Sequence, residues 1–298
     1  MKSVAIVGLG WLGLPLALHL KELGCCVKGS KQSPEDAQKL HQLGIETYPF
    51  SLSDEIKHLP DHICTLFNVD ALIITLPPSR FSSQQYCEHL AFLANQAKKQ
   101  GVQHLIFTSS TSVFPDISGQ FDESSPLSAE TEIGKTLIQA EQCLFQSEIS
   151  HCDILRLAGL IGKQRHPVKF LAGKCNLKQG NSPVNLVHLE DCIQAITTLL
   201  MNPNGLRTYH LCAPIHPTRA EYYTKAAVFY DLSIPQFECS DSDPKRIIMA
   251  DKICRDLGFN IYLKVKKLVL LFQAGSIPAL HYFGCVKKVR YLMLIQQT

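Results

Sequence analysis

Short apolar, β-branched runs alternate along the chain with longer stretches in which apolar residues recur every three or four positions. "VAIVG" (4–8) reads as a buried strand that stops at glycine, and "LPLALHLKELG" (14–24) reads as a helix that ends at Gly24. "CCVKGS" (25–30) is a second strand, followed by the helix "PEDAQKLHQLG" (34–44), with Pro34 at its start and Gly44 at its stop. The same patterns predict strands at 71–76, 104–109, 152–158, 184–187 and 208–212, with helices at 83–99, 132–147 and 189–201 between them. Strands that alternate with helices of this length predict βαβ units and a parallel sheet covered on both faces. From about residue 160 strands thin out and loops such as "GKQRHPVKF" (162–170) take over. The expectation is an α/β, doubly wound parallel sheet with a small C-terminal lobe over the carboxyl edge of its strands, where such sheets bind ligands.

"GLGWLG" places Gly8, Gly10 and Gly13 as G-x-G-x-x-G, with Trp11 and Leu12 inside the turn, directly after a strand and at the start of a helix. The first glycine permits the tight turn, the second lets a pyrophosphate approach the backbone, and the third lets helix and strand pack. This context predicts a Rossmann dinucleotide site. An acidic residue near the end of the second strand would hold the ribose hydroxyls of NAD. This chain offers Gly29, Ser30 and Lys31 there, with no acid before Glu35. A hydroxyl and an ammonium suit a 2′-phosphate, so NADP is the expected cofactor, with NAD second.

Composition narrows the class. Hydrophobic content of 46% and charged content of 18% over 298 residues describe a globular chain. The net charge of +3 conceals an asymmetry, because Lys264, Lys266, Lys267, Lys287, Lys288 and Arg290 contribute +6 and no acid follows Asp256. The main body therefore carries about −3, which argues against a nucleic-acid partner. Twelve cysteines occur without a C-x-x-C and twelve histidines without an H-x-x-x-H. Buried cysteines behave as small hydrophobes, so neither disulfides nor a metal site is expected, and the protein reads as reduced and cytoplasmic. The apolar N-terminus lacks an A-x-A-like cleavage site and is explained by the glycine turn.

"VAIVGLGWLGLPLA", "GSK", "ALIITLPPSR", "IFTSSTSVF", "DILRLAGLIG", "RHP", "VNLVHLED", "YHLCAP" and "ICRDLGF" occur in this order from residue 2 to about 259. In these segments the chain resembles the extended short-chain dehydrogenases/reductases, the NAD(P)-dependent epimerase/dehydratase superfamily, and within it the atypical YeeZ-like branch. "GLGWLGLPLA" also resembles the opening of UDP-sugar dehydrogenases, but those are usually longer and lack "TSSTSVF". The resemblance implies cofactor contacts from Leu76, Pro77, Ser109 and Gly159 beside the glycine turn. It implies a substrate-orienting hydroxyl at Ser110, three residues before Val113. Thr111 and Ser112 stand where dehydratases carry an Asp-Glu pair, which argues against sugar dehydration.

Working members follow that hydroxyl with a tyrosine acid/base and, four residues on, a lysine. A phenol with a pKa near ~10 needs a nearby cation to act as a base at neutral pH. Counting forward from Ser110 and back from Glu141, which resembles the family's helix glutamate, places the tyrosine slot at Ile133 and the lysine slot at Leu137. Thr131 and Lys135 mimic the spacing but are displaced by two residues, a rotation of about 200° on a helix. The usual relay is therefore absent, and Lys135 is the replacement candidate. Arg80, Thr111, Arg165, His166 and Asn185 are the candidate substrate contacts.

The expected organisation is a nucleotide-binding domain over 1–160, a substrate lobe over 161–260 with strands returning to the sheet, and a basic, apolar tail over 261–298. The tail holds nineteen residues between Lys267 and Lys287 without an acid, lysine or arginine, but Gln273, Ser276, Pro278 and His281 interrupt them. It reads as a diverged or frame-shifted terminus, not a membrane anchor. Two functions fit. One is an NADP-dependent nucleotide-sugar epimerase or related oxidoreductase acting on a small molecule. The other is a catalytically silent NADP-binding protein that reports redox state. Oligomeric state is left open.

Overall fold

The structure, a computed structural model, describes residues 2–52, 59–162 and 164–261, apart from the side chain of Arg80. In chain order the elements are β1 (Ser3–Val7), α1 (Gly13–Glu22), β2 (Cys26–Lys31), α2 (Pro34–Gln42), β3 (Glu46–Pro49), α3 (Asp61–Cys64), β4 (Ala71–Ile74) and α4 (Ser83–Lys99). They continue with β5 (His104–Ser110), β6 (Gly119–Phe121), α5 (Glu132–Phe145), β7 (His151–Leu157), β8 (Gly159–Ile161), α6 (Val168–Leu171) and β9 (Leu186–His188). The last elements are α7 (Leu189–Met201), β10 (Leu206–Leu211), α8 (Arg219–Phe229), β11 (Arg246–Ile248) and α9 (Asp251–Leu257). Short 3-10 turns follow β4 at Pro78–Arg80 and β5 at Thr111–Val113.

Seven strands form the central sheet in the order β10-β7-β5-β4-β1-β2-β3, every pairing parallel. Strand order reverses between β1 and β4, and this switch point opens a crevice at the carboxyl ends of the strands. The near-continuous apolar strands follow from covering both faces. Val4, Ala5 and Ile6 of β1, Leu72, Ile73 and Ile74 of β4 and Leu105, Ile106 and Phe107 of β5 are each 0% exposed. α1 buries Leu16, Ala17 and Leu20 against this sheet, and α4 buries Leu90, Leu93 and Ala97. Helix starts carry their own stop signals. Ser33 caps α2 ahead of Pro34, Ser82 and Gln85 form a reciprocal capping box on α4, and Thr131 caps α5 through Gly134 N–H at 3.1 Å.

The helices at 83–99 and 189–201 match the expected spans, and the one expected at 132–147 ends at Phe145. The strand expected at 208–212 is β10, the edge of the main sheet. The run expected at 184–187 is β9, which pairs with β8 in a separate two-stranded sheet and stays out of the main one. β6 and β11 make a further two-stranded pair. A second apolar cluster, with Val168, Val184, Leu186, Tyr222, Ala226 and Ala227, packs beneath α6 and α8 and is distinct from the main core. The 261–298 tail lies outside the described residues from 262 onward. Ile261 itself is buried in the main core.

Candidate functional site

The crevice at the switch point is a cleft of about 770 Å³, walled by the glycine turn, the end of β2, the segment after β4, the end of β5 and residues Leu157–Leu160. Its floor is pinned by hydroxyls. Thr75 Oγ1 donates to the Gly8 carbonyl at 2.7 Å, Thr108 Oγ1 donates to the Ile74 carbonyl at 3.2 Å, and buried Tyr86 donates to the Leu76 carbonyl at 2.7 Å. Gly8 adopts φ +107°, a backbone region closed to ordinary side chains. At Gly13 a Cβ would stand 2.1 Å from the Gly8 carbonyl oxygen, so the helix can approach the turn only without one. At Gly10 a Cβ would meet nothing within 4 Å. No protein packing demands a glycine there. A ligand backed against the turn would, which is the role this position has in a pyrophosphate cradle.

At the far end of the cleft, Ser30 is 4% exposed and its Oγ accepts the Gly8 N–H at 3.3 Å, tying β2 to the turn. Lys31 lines the rim with Gln32 and Ser33. Asp36 lines the same end, 3.5 Å from Lys39. The sequence placed no acid beside Lys31 before residue 35, and the first turn of α2 now brings one into the wall.

The inner wall is made by β5 and α5. Ser109 Oγ lies 2.5 Å from Glu141 Oε1. Glu141, 2% exposed, accepts Arg156 Nη2 at 2.7 Å and Nε at 3.1 Å. Arg156 reaches on to His210 Nε2 at 3.4 Å, and His210 Nδ1 lies 3.0 Å from the Met249 carbonyl. Burial, reinforced by the Arg156 charge, pushes His210 down to about 4, so it is a neutral link between two main-chain and side-chain partners. Ser110 lines the cleft and its Oγ accepts Ser112 N–H at 3.2 Å. Leu137 also lines the cleft and is 3% exposed. Ile133, one helical turn earlier, is 49% exposed.

All the residues expected to contact a cofactor line this one cleft: Gly8, Gly10, Trp11, Leu12, Gly13, Ser30, Lys31, Leu76, Pro77, Ser109 and Gly159. Of the expected catalytic and substrate residues, Ser110 and Arg165 join them. Arg165 lies 5.0 Å over the Trp11 ring, and its loop is closed by reciprocal hydrogen bonds with Gly162 of 2.9 and 3.2 Å. Lys135 points away and pairs with Glu132 at 2.8 Å on the surface. His166 is in the second core, its Nε2 2.8 Å from the Tyr222 hydroxyl, and burial lowers it to about 4. Thr111 is buried just behind the wall. Asn185 donates to the Arg246 carbonyl at 3.0 Å and accepts Ile248 N–H at 2.9 Å, holding β11 in place. The Arg80 side chain lies outside the described residues. Thr75, Thr108 and Tyr86 were not singled out from the sequence. The only available signal was a hydroxyl ending an apolar strand, which also fits a plain strand terminus.

Among the described cleft-lining residues the ionisable ones are Lys31, Asp36 and Arg165. The wall can therefore bind and orient, but it presents no histidine, cysteine, tyrosine or glutamate that titrates near neutrality. No cluster of residues able to hold a metal occurs among the described residues, and no helix among them is long and apolar enough to cross a membrane.

This sheet order, with a glycine turn at the switch point, defines a Rossmann-type α/β protein with an appended lobe. No family model matches the chain. Protein YeeZ of Escherichia coli K12 is 42% identical over 262 residues, covering 87% of this chain and 95% of that protein, and the chain belongs to the YeeZ family. Solved structures with the same fold include MoeE5 in complex with UDP-glucose and NAD, with 15% identity, a TM-score of 0.71 and coverage of 89% of this chain and 95% of that one. UDP-N-acetylglucosamine 4-epimerase from Bacillus cereus shares the fold at 16% identity and a TM-score of 0.71, covering 91% and 99%.

Proposed function

We propose that the cleft binds NADP and that the chain is an atypical extended short-chain dehydrogenase/reductase acting as a nucleotide-sugar epimerase or related oxidoreductase. The observation that carries this is the cradle itself: a Gly10 position open to a ligand, backed by the Gly8–Gly13 contact, with Lys31 at the ribose end. The complexes of neighbours sharing the fold, one holding UDP-glucose and NAD, support the cofactor class and the substrate class. Residues 1–160 supply the cofactor site and 161–260 the substrate lobe.

In this reading the amides of the glycine turn and the α1 N-terminus face the pyrophosphate, and Lys31 meets the 2′-phosphate. A bound nicotinamide would supply hydride transfer. Ser109, its proton directed to Glu141, offers oxygen lone pairs to the cleft, and Ser110, whose oxygen is occupied by Ser112 N–H, offers its proton. These two hydroxyls orient a substrate alcohol or carbonyl. Neither moves a proton on its own at neutral pH.

That deficit favours the second reading, a silent NADP-binding protein that reports redox state, and the carrying observation is Leu137 in the cleft wall where the resemblance implies a lysine. One experiment separates them. The full chain is mixed with NADP or NADPH and a panel of nucleotide sugars, with nicotinamide absorbance and product formation followed. Cofactor binding with turnover of any sugar supports the enzyme. Tight binding without turnover across the panel supports the silent protein, and absence of binding to either nucleotide defeats both.

A further inference from the structure

β7 and β10 run parallel in the register that sets Cys152 beside Leu206, so one residue earlier His151 stands beside Gly205. Gly205 donates its N–H to His151 Nδ1 at 3.0 Å, and its carbonyl accepts Cys152 N–H at 2.9 Å. His151 is seated by contacts of its own. Its main-chain N–H reaches the Gln103 carbonyl at 3.0 Å, and its ring stands perpendicular to that of buried His104, with centroids 6.2 Å apart. As an acceptor, Nδ1 carries a lone pair, and that lone pair faces a single main-chain amide hydrogen. Main-chain amides mostly meet carbonyls or water. This one meets a base.

The residue before that amide is Asn204, and "NPNG" (202–205) holds the only Asn-Gly pair in the chain. Asn204 is exposed, and its side chain takes no hydrogen-bond partner among the described residues. Gly205 adopts φ +57°, and a Cβ there would meet nothing within 4 Å, so neither a side chain nor packing shields its nitrogen. Asn202 in the same turn precedes Pro203, whose nitrogen has no proton to give up. Asn181 precedes Ser182, but its N–H is tied to Asp243 at 2.9 Å and its side-chain amide to the Ser240 carbonyl at 3.1 Å. The turn ahead of β10 thus unites a free asparagine amide, an unshielded nitrogen and a base in contact with that nitrogen's proton.

We propose that Asn204 is a site of spontaneous deamidation, with His151 as the intramolecular general base. The Gly205 nitrogen bonds to Asn204 Cγ as its proton passes to His151 Nδ1. The bond from Cγ to the side-chain nitrogen then breaks, and the same proton leaves with that nitrogen as ammonia. A succinimide remains, and water opens it at either carbonyl to aspartate or isoaspartate. Either product adds one carboxylate to a second cleft, of about 890 Å³, which Asn204 lines with Arg207, Tyr209 and Lys252. The isoaspartyl form also adds a methylene to the main chain directly ahead of the Gly205–Cys152 hydrogen bond, at the edge strand of the main sheet. The chemistry needs neither cofactor nor substrate, so it does not rest on the reading of the nucleotide cleft.

In the test, the full chain is held at physiological temperature and pH, and samples taken over time are digested and sequenced by tandem mass spectrometry. Asn204 is expected to convert to aspartate and isoaspartate, the latter confirmed by enzymatic carboxyl methylation, while Asn181 and Asn202 stay intact. The His151 contact exists only in the fold. The folded chain should therefore convert at Asn204 faster than the chain unfolded in urea, by about tenfold or more. His151→Gln should remove that advantage, and Asn204→Ala should abolish the isoaspartate. Circular dichroism checks that the His151 variant folds, and the comparison with urea carries the test if it does not. An Asn204 that survives in the folded chain while converting in urea overturns the proposal. So does an unchanged rate in a folded His151→Gln variant, or equal conversion at Asn181.

Discussion

Replacing Lys31 with alanine removes the one cation at the ribose end of the cleft whose ammonium takes no carboxylate partner among the described residues. The adenine 2′-phosphate of NADP carries close to two negative charges at neutral pH. At ~4 Å and an effective dielectric of ~20, each unit charge interacts with the ammonium by about 4 kcal/mol before solvent competes. The net worth of a charged hydrogen bond is smaller, about 1.5–3 kcal/mol, which is roughly tenfold to a hundredfold in affinity. Asp36 in the same wall pulls the other way, but Lys39 at 3.5 Å offsets part of its charge. The unmodified protein should therefore prefer NADP over NAD by about tenfold or more. Lys31→Ala should erode that preference by weakening NADP alone.

The chain supplies its own probe. Trp11 is the only tryptophan in the 298 residues and stands in the cleft wall under Arg165. Its fluorescence should report both nucleotides at the same fixed salt, with calorimetry as the check. Equal affinities for NADP and NAD in the unmodified protein refute the reasoning, as does an Lys31→Ala variant that loses both nucleotides equally. Ser30 is a poorer handle than its sequence position suggests. Because its hydroxyl holds Gly8 N–H, Ser30→Asp should disturb the turn and weaken both nucleotides.

Gly13→Ala drives a methyl to 2.1 Å from the Gly8 carbonyl, where backbone and not a flexible side chain must yield. A loss of about 1–3 kcal/mol or more, with cofactor binding abolished, is expected in denaturant titrations. Glu141→Gln keeps the shape but leaves the Arg156 guanidinium without its counter-charge, so stability should fall by about 3–5 kcal/mol and the melting point by on the order of 10 °C. Unchanged melting would mean that the buried pair contributes little. Acid should also unfold the chain early. His210 and His166 sit near 4 in the fold against an ordinary 6.5, so the unfolded chain binds more protons between those values. Their contribution, at most about 3 kcal/mol each, is complete above about pH 6.5 and is lost as pH falls toward 4. Urea midpoints that stay flat across this window would contradict it.

What the sequence revealed was what local rules control. The β1–α1 unit was legible because "VAIVG" is apolar on both faces and Gly8, Gly10 and Gly13 have fixed mechanical roles. α4 was legible to the residue because Ser82 and the lysines at its end mark both limits. β6, β8 and β11 are three residues each, too short for any periodicity, and exist because long-range partners such as Asn185 hold them. α8 was missed because its buried face is built from tyrosines and alanines, which read as a mixed segment. The cofactor-side residues converge on one cleft because one turn and four strand ends carry them. The substrate-side set was harder to read. "RHP" places Arg165 in the cleft and the adjacent His166 in the second core, a split decided by lobe packing.

The register of α5 decides whether the missing relay can be restored. Leu137 lines the cleft, and Ile133, one turn earlier on the same face, is half-exposed beside it. Lys135 is about 200° away from both and is already paired with Glu132. Lys135→Ala should therefore leave cofactor affinity and any turnover essentially unchanged. Ile133→Tyr with Leu137→Lys should place a phenol and an ammonium on the cleft face, with the cation lowering the phenol's pKa toward neutrality. Burying the lysine costs stability, so the double variant should melt lower, and that loss is the check that the ammonium entered the wall. Dehydrogenase turnover with NADP should then appear or rise, and its rate should show a basic ionisation near neutral pH. The unmodified cleft, whose described lining residues include no tyrosine, histidine, cysteine or glutamate, should lack it. A fall of about 10²–10⁴-fold in native turnover from Lys135→Ala alone would place the working cation on the other face of the helix and overturn this register.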